Sequence, residues 1–125
     1  MSRPLPFLLG VLLLSACEQG GDGQMNLRPL APHVSGPDTV AVGERSEFEV
    51  TVYDPDGDEL RVFVAWGDGD TTDYGEFVRS GRSVLFFHIY NSAGAFTIRA
   101  RCQDLGTLFS NWSEGRQVTA VSPGE

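Results

Sequence analysis

Lysine is absent from this chain. All nine basic residues are arginines, against 17 acidic residues, so the formal net charge is −8. A surplus of negative charge repels phosphate groups, which argues against nucleic acid or an anionic membrane surface as a partner. With 125 residues and an ordinary hydrophobic fraction of 41%, the chain is long enough for one small folded domain.

Cysteine is scarce as well, and the two cysteines, Cys17 and Cys102, lie far apart. A short apolar run over residues 4–14 follows Arg3 and precedes small residues and Cys17. This is the layout of a secretory signal peptide, and the run is too short to span a membrane. Residues 14–17 (Leu-Ser-Ala-Cys) resemble the lipobox of bacterial lipoproteins, in which the cysteine receives a diacylglyceryl group and cleavage falls just before it.

The lipobox resemblance implies that residues 1–16 are a signal peptide and that Cys17 is lipidated. Several acyl chains anchor a protein stably, since each buried CH₂ contributes about 0.8 kcal/mol. We therefore expect a membrane-anchored lipoprotein of the bacterial cell envelope, facing the periplasm or the exterior. Residues 17–33, rich in Gly, Pro and polar side chains, predict a flexible tether after the lipidated cysteine. With Cys17 lipidated, Cys102 has no partner for an intramolecular disulfide.

A sustained apolar period of 3.6 residues is missing after residue 33, so no long helix is expected. Short alternating runs replace it; in residues 46–53, for example, Phe48, Val50 and Val52 point one way and polar side chains the other. Regular turn residues separate the runs, which predicts a two-sheet antiparallel β-sandwich over residues 34–122 with a tail at 123–125. The predicted strands cover residues 34–42 (interrupted by Gly-Pro), 46–53, 60–66, 71–74, 76–79, 83–90, 95–103 and 115–121.

Three motifs in a fixed order resemble a known family. A Trp-Gly-Asp-Gly-Asp hairpin at residues 66–70 is followed by His-x-Tyr at residues 88–90, and then by a Gly and an alternating strand that ends near Asp104. This pattern resembles the PKD (polycystic kidney disease) domain, an immunoglobulin-like β-sandwich whose members serve as spacers and as protein or carbohydrate contact modules. The resemblance implies a set of fold-defining residues: Trp66, Gly67, Asp68, Gly69, His88, Tyr90 and Gly94.

Asp54, Asp56 and Asp58 alternate around a tight turn. Closely spaced carboxylates on a loop suit Ca²⁺, which takes several oxygen ligands. In a sandwich of this topology Asp104 falls at the same end and becomes the fourth candidate ligand. The alternative is that Asp-Pro-Asp-Gly-Asp is turn chemistry only, its side chains bonding their own backbone. Asp68 and Asp70 should lie at the opposite end, where hairpin formation accounts for them.

A contact patch is the other candidate site. Leu85, Phe87 and Ile89 occupy the face of their strand opposite His88 and Tyr90; if that face is exposed it is a contact surface, and if a loop covers it, it is core. Arg99, Arg101 and Arg116 are expected on outward faces of neighbouring strands near Trp112, where they either stack on it, bind an acidic ligand or remain solvated charges. The predicted patch comprises Leu85, Phe87, Ile89, Arg99, Arg101 and Trp112.

No nucleophile–base constellation is visible, so an enzyme is not expected and no catalytic residue is assigned. The leading hypothesis is a non-catalytic cell-envelope lipoprotein whose PKD-like domain is a protein-interaction or structural module. The alternative is a calcium-dependent adhesion or carbohydrate-binding module. The expected partners are the membrane, through the lipid, and an envelope protein or carbohydrate.

Overall fold

The computed structural model describes residues 26–123, which fold into β-strands without a long helix. The predicted signal peptide, Cys17, the tether up to residue 25 and residues 124–125 lie outside the described residues. Within residues 26–123, no helix is long and apolar enough to cross a membrane. The strands are β1 (His33–Ser35), β2 (Thr39–Ala41), β3 (Arg45–Thr51), β4 (Leu60–Ala65), β5 (Thr71–Val78), β6 (Ser83–Ile89), β7 (Gly94–Asp104) and β8 (Arg116–Val121).

The strands form two packed sheets, which confirms the predicted immunoglobulin-like β-sandwich. A 3-stranded sheet has the order β1-β3-β6, and a 5-stranded sheet has the order β2-β8-β7-β4-β5. The pairs are antiparallel except that β2 runs parallel to β8. Strand β4 lies between β5 and β7, and its apolar residues on both faces suit this interior position.

The parallel pair corrects the prediction of a wholly antiparallel sandwich, and its cause is the break at Gly36-Pro37. The predicted first strand is split there into β1 and β2, which belong to different sheets. Pro37 has no amide hydrogen to donate to a sheet ladder. Gly36 lies so close to the core that an added Cβ would be 2.5 Å from the ring of Phe48. The chain therefore crosses from one sheet to the other at this point.

The segment after the Trp66 hairpin, residues 71–79, also differs from the prediction. Residues 71–74 and 76–79 were expected to be separate short strands, but β5 is continuous from Thr71 to Val78. Its register against β4 shifts between Arg61 and Phe63. This irregularity lets the strand pass Gly75, which has a φ of 90°, without ending.

The core lies between the sheets and is built by the alternating strand residues. Trp66 is fully buried at its centre, with the rings of Phe48 and Phe86 at centroid distances of 5.5 and 6.3 Å. Tilted and edge-on ring pairs of this kind add to the hydrophobic stabilisation. The other buried apolar residues are Val34, Val40, Val50, Val52, Leu60, Val62, Val64, Val84, Tyr90, Ile98, Ala100, Cys102, Val118 and Ala120.

The last part of the predicted tether, residues 26–33, runs along the sandwich instead of standing clear of it. Pro29 and Pro32 are buried, and the amide of Leu30 donates to the carbonyl of Tyr53 at 3.0 Å. Proline rings bury apolar surface and leave no amide to satisfy, so these residues pack readily against a domain. Composition alone had grouped them with the Gly-rich residues before them.

Candidate functional site

The Trp66–Asp70 hairpin is closed by its own backbone and side chains. The amide of Trp66 donates to the carbonyl of Asp70 at 3.1 Å, and the amide of Asp70 donates to Oδ1 of Asp68 at 3.0 Å. Gly67 and Gly69 have φ angles of 88° and 98°, which only glycine adopts without strain. The hairpin residues therefore form a turn.

Trp66 connects this hairpin to β6 through the core. Its indole Nε1 donates to Oγ1 of Thr72 at 2.8 Å, and its ring is stacked on His88 at 4.5 Å with an angle of 3°. The hydroxyl of Tyr90 donates to the Trp66 carbonyl at 2.8 Å. Burial, followed by the negative charge of Asp68, raises the pKa of the Tyr90 phenol well above its ordinary value, so this hydroxyl stays protonated and keeps donating. The family resemblance had named Trp66 and Tyr90 as fold-defining residues, but the contacts of Trp66 with Thr72 and His88 were not predicted.

His88 and Asp68 form a contact that the sequence did not identify. Nε2 of His88 lies 2.7 Å from Oδ2 of Asp68, and the His88 side chain is 8% exposed. Desolvation raises the pKa of Asp68, but the hydrogen bonds from His88 and from the Asp70 amide outweigh it and hold that pKa below 3.8. Asp68, Asp70 and His88 are close enough together to hold a metal ion. Asp68 and His88 already satisfy each other, however, so the geometry favours a structural pair.

The acidic loop, residues 54–58, gathers the predicted metal ligands at the opposite end of β4. One ligand oxygen each from Asp54, Asp56 and Asp58 lie within 4.8 Å of one another. Asp54 is only 6% exposed, and its Oδ1 accepts the amide of Asp56 at 2.7 Å, as turn chemistry predicts. Its other oxygen, Oδ2, is buried without a hydrogen-bond partner among the described residues. Desolvation and then the charges of Asp54, Asp56 and Asp104 raise the pKa of Asp58.

Asp104 lies beside the acidic loop, as predicted, because Leu60 at the start of β4 is in register with it. It is 1% exposed, but it is not part of the three-carboxylate group. Its Oδ1 accepts the amide of Leu108 at 2.9 Å and its Oδ2 accepts Nδ2 of Asn26 at 2.8 Å. The amide of Leu27 donates to Oδ2 of Asp56 at 2.7 Å. The sequence placed Asn26 and Leu27 in the tether and gave no signal for these contacts.

The apolar row Leu85, Phe87 and Ile89 is exposed, which settles the alternative left open by the sequence. Their exposed fractions are 49%, 40% and 42%. They lie on the outer face of β6, which is an edge strand of the 3-stranded sheet. The guanidinium of Arg45 lies 4.1 Å from the centre of the Phe87 ring.

The remaining residues of the predicted patch lie on the other side of the molecule. Arg99 and Arg101 belong to β7 in the 5-stranded sheet and point away from the core. The single predicted patch is therefore two surfaces on opposite faces, because the outward side chains of β6 and β7 belong to different sheets. The Arg101 guanidinium lies 4.1 Å from the Phe109 ring and 4.7 Å from the Trp112 ring.

Arg116, expected on the same outward face, turns the other way. Its guanidinium donates to the carbonyl of Gly36 and, at 3.0 Å, to Oδ1 of Asp38. Arg116 therefore holds the connection between β1 and β2 against β8. Of the three arginines, Arg99 and Arg101 are the ones that lie beside Trp112.

The described residues show no activated nucleophile. The Cys102 thiol is buried, and desolvation raises its pKa to about 11, so it stays protonated and unreactive near neutral pH. The hydroxyls of Ser110 and Ser113 accept the amides of Cys102 and Ala100 at 3.0 and 2.9 Å. These groups therefore have structural roles.

The sandwich is similar to solved structures. It superposes on the PKD domain of an M14-like peptidase from a Thermoplasmatales archaeon with a TM-score of 0.73 and 30% sequence identity, covering 77% of this chain and 98% of that domain. The chain belongs to the PKD-domain family. Membership explains why the Trp66 hairpin, His88 and Tyr90 meet around one core, as the sequence resemblance implied.

The PKD domain also shares its fold with the CARDB domain of the PF1109 protein from Pyrococcus furiosus. A solution structure of that domain gives a TM-score of 0.57 at 22% identity over 75% of this chain and 96% of that one. A crystal structure of the same domain in complex with di-metal ions gives 0.54 at 18% identity over 79% and 98%. No protein-family model matches the sequence, and no curated protein matches it.

Proposed function

We propose that this protein is a non-catalytic lipoprotein of the bacterial cell envelope whose PKD domain acts as a protein-interaction or structural module. The observation that carries the proposal is the exposed apolar row on β6. Three large apolar side chains stand next to one another on an edge strand, which also offers unpaired backbone groups along its free side. Contiguous apolar surface of this kind is typical of contact sites, unlike scattered apolar residues.

Charged side chains on β3 border the apolar row Leu85, Phe87 and Ile89. On β3, Glu47 is in register with Phe87 and Glu49 with Leu85. The apolar row is therefore one strand wide, with a charged border on its β3 side. A partner that adds a strand to β6 would pair with the free backbone and cover Leu85 and Ile89, while the charged border selects against partners of the same sign.

A photo-crosslinking amino acid at position 87 tests the interaction in intact cells. We expect a crosslink to a discrete envelope protein, reduced by Leu85→Lys because a bound charge would have to be desolvated. Thr119, exposed on the other sheet, is the matched control position. Equal labelling from positions 87 and 119 would contradict the proposal.

The anchor is tested separately with Cys17→Ser in the full-length chain. We expect the unsubstituted protein to be labelled by a fatty-acid probe and to fractionate with membranes, and the variant to lose both properties because it lacks the acylated thiol. Membrane fractionation of the unlabelled variant at the original level would contradict a lipid anchor.

Calcium-dependent adhesion or carbohydrate binding is the second candidate, and it is favoured by Oδ2 of Asp54, which has no hydrogen-bond partner within residues 26–123. A buried carboxylate oxygen without a partner is costly, and a cation held with Asp56 and Asp58 would satisfy it. Asp104 stands next to this group and would join it only by giving up its hydrogen bonds with Leu108 and Asn26. The di-metal complex of the CARDB domain is consistent with metal sites on this fold.

Thermal unfolding with calcium or chelator tests the metal. At a calcium concentration of 100 times Kd, binding adds about 2.7 kcal/mol, which corresponds to roughly 10–20 °C for a domain of this size. Asp56→Asn should abolish the shift, and Asp70→Asn, at the opposite end, should retain it. A melting temperature unmoved by either reagent would exclude a stabilising calcium site.

A further inference from the structure

We propose that the shallow groove beside Trp112 binds a hexuronic acid residue of an acidic polysaccharide. The groove lies on the outer face of the 5-stranded sheet, away from both the apolar row and the acidic loop. The inference deepens the proposed binding role of the PKD domain and assigns it a second surface. Five residues line the groove: Ala65, Gly67, Thr97, Arg99 and Trp112.

The floor of the groove is made by small residues. Gly67 packs so closely on β7 that an added Cβ would be 2.6 Å from the Thr97 carbonyl oxygen. Ala65, in register with Arg99, is the other small floor residue. The groove volume is about 170 Å³, below the roughly 300–1,000 Å³ of sites that enclose whole ligands. It therefore suits one ring lying on the surface, as in a polymer chain.

Trp112 forms one wall, and its ring is held in place. It is 44% exposed, while the Arg101 guanidinium lies 4.7 Å from its centre and is itself 4.1 Å from the Phe109 ring. A positioned indole with an open surface is a platform for the apolar C–H face of a pyranose. Because Arg101 already contacts two rings, it supports the platform.

Arg99 supplies the charge that distinguishes an acidic sugar from a neutral one. Within residues 26–123 its guanidinium has no hydrogen bond or ion pair, and it extends past Gly115, where an added Cβ would be 3.2 Å from Nη2. A free guanidinium presents parallel N–H donors that match a carboxylate. Arg99 and Trp112 line the same groove, so a uronate ring lying on it can contact Trp112 while its carboxylate pairs with Arg99.

The net negative charge of the chain limits where a polyanion could bind. A chain with a formal net charge of −8 repels polyanions in general, so any binding of one requires a local cationic site. An acidic peptide would also satisfy Arg99, but it has no ring face for Trp112. The observations therefore favour the saccharide.

Affinity electrophoresis in gels containing polygalacturonate tests the proposal. EDTA is present throughout, so that the result does not depend on the acidic loop. We expect retardation of the unsubstituted protein, and an apparent affinity lowered about tenfold or more by Arg99→Gln, which removes the charge-assisted pair. Trp112→Phe should weaken binding less than Trp112→Ala, since it keeps a smaller ring. Arg82→Gln, an exposed arginine on the opposite side, should match the unsubstituted protein.

Two comparison polymers decide the ligand class. Dextran should not retard the protein, because it lacks the carboxylate, and polyglutamate should retard it less than polygalacturonate. Equal retardation by polyglutamate would overturn the saccharide assignment in favour of an acidic peptide. No retardation by polygalacturonate, or loss of retardation with Arg82→Gln, would overturn the site itself, whereas the proposed β6 interaction would be unaffected.

Discussion

Gly67 and Gly69 form a matched pair for measuring how closely the hairpin packs on β7. Both have positive φ angles, 88° and 98°. An added Cβ at Gly67 would be 2.6 Å from the carbonyl oxygen and 2.8 Å from the nitrogen of Thr97, whereas nothing lies within 4 Å at Gly69. Alanine at either position should therefore have the same backbone penalty, but only alanine at Gly67 collides with another strand.

The expected costs follow from these two terms. Adopting a left-handed conformation costs a residue other than glycine roughly 1–2 kcal/mol, which is the whole expectation for Gly69→Ala. Gly67→Ala adds an overpacking cost of about 1–3 kcal/mol, since backbone atoms must move. The total of roughly 2–5 kcal/mol is a large part of the about 5–15 kcal/mol typical of a small domain.

Urea unfolding of both variants, followed by tryptophan fluorescence, measures the difference. Trp66 is fully buried, so its emission reports loss of the core. We expect the midpoint of Gly67→Ala to fall well below that of Gly69→Ala with similar slopes. Equal midpoints would refute the close approach of the hairpin to β7.

Two further predictions concern the contacts around Trp66. Because the folded pKa of Asp68 is depressed, its contribution to stability is present above the unfolded pKa of about 3.9 and is lost as pH falls through the folded value. The difference in stability between the unsubstituted protein and Asp68→Asn should therefore shrink as pH falls below about 4. A difference that does not change over this acid range in urea titrations would contradict the pairing. Tyr90→Phe should cost about 1–3 kcal/mol, since it leaves the buried Trp66 carbonyl without its donor, whereas Tyr53→Phe, at an exposed site, should be neutral; equal melting temperatures would show that the Tyr90 hydrogen bond contributes nothing.

The fold was predictable because its signals are local. Alternation in residues 46–53 identified the buried face of β3, and apolar residues on both faces of residues 60–66 indicated that β4 is an interior strand. The Trp66 hairpin, with His88 and Tyr90, then indicated the family. These signals depend on the two-residue period of a strand and on the conformations open to glycine, which neighbouring residues alone determine.

The candidate sites were predictable only in part. The acidic loop is contiguous in sequence, so Asp54, Asp56 and Asp58 could be grouped without a structure. Asn26 and Leu27 could not, because they reach the loop from residues that look like tether. Leu85 and Arg99 were assigned to one patch because both side chains point away from the core. They belong to different sheets, however, so they point to opposite sides of the molecule.

The sequence by itself determined the class of fold, the family and the hairpin, since turn and strand preferences are properties of short segments. Tertiary structure alone decided which sheet each strand joined, and so the parallel pairing of β2 with β8. It also decided that Asp68 contacts His88, that one oxygen of Asp54 has no partner in the described part of the chain, and that Arg99 and Trp112 line one groove. Each of these contacts joins residues that are distant in sequence or depends on burial, and both are set by how the two sheets pack.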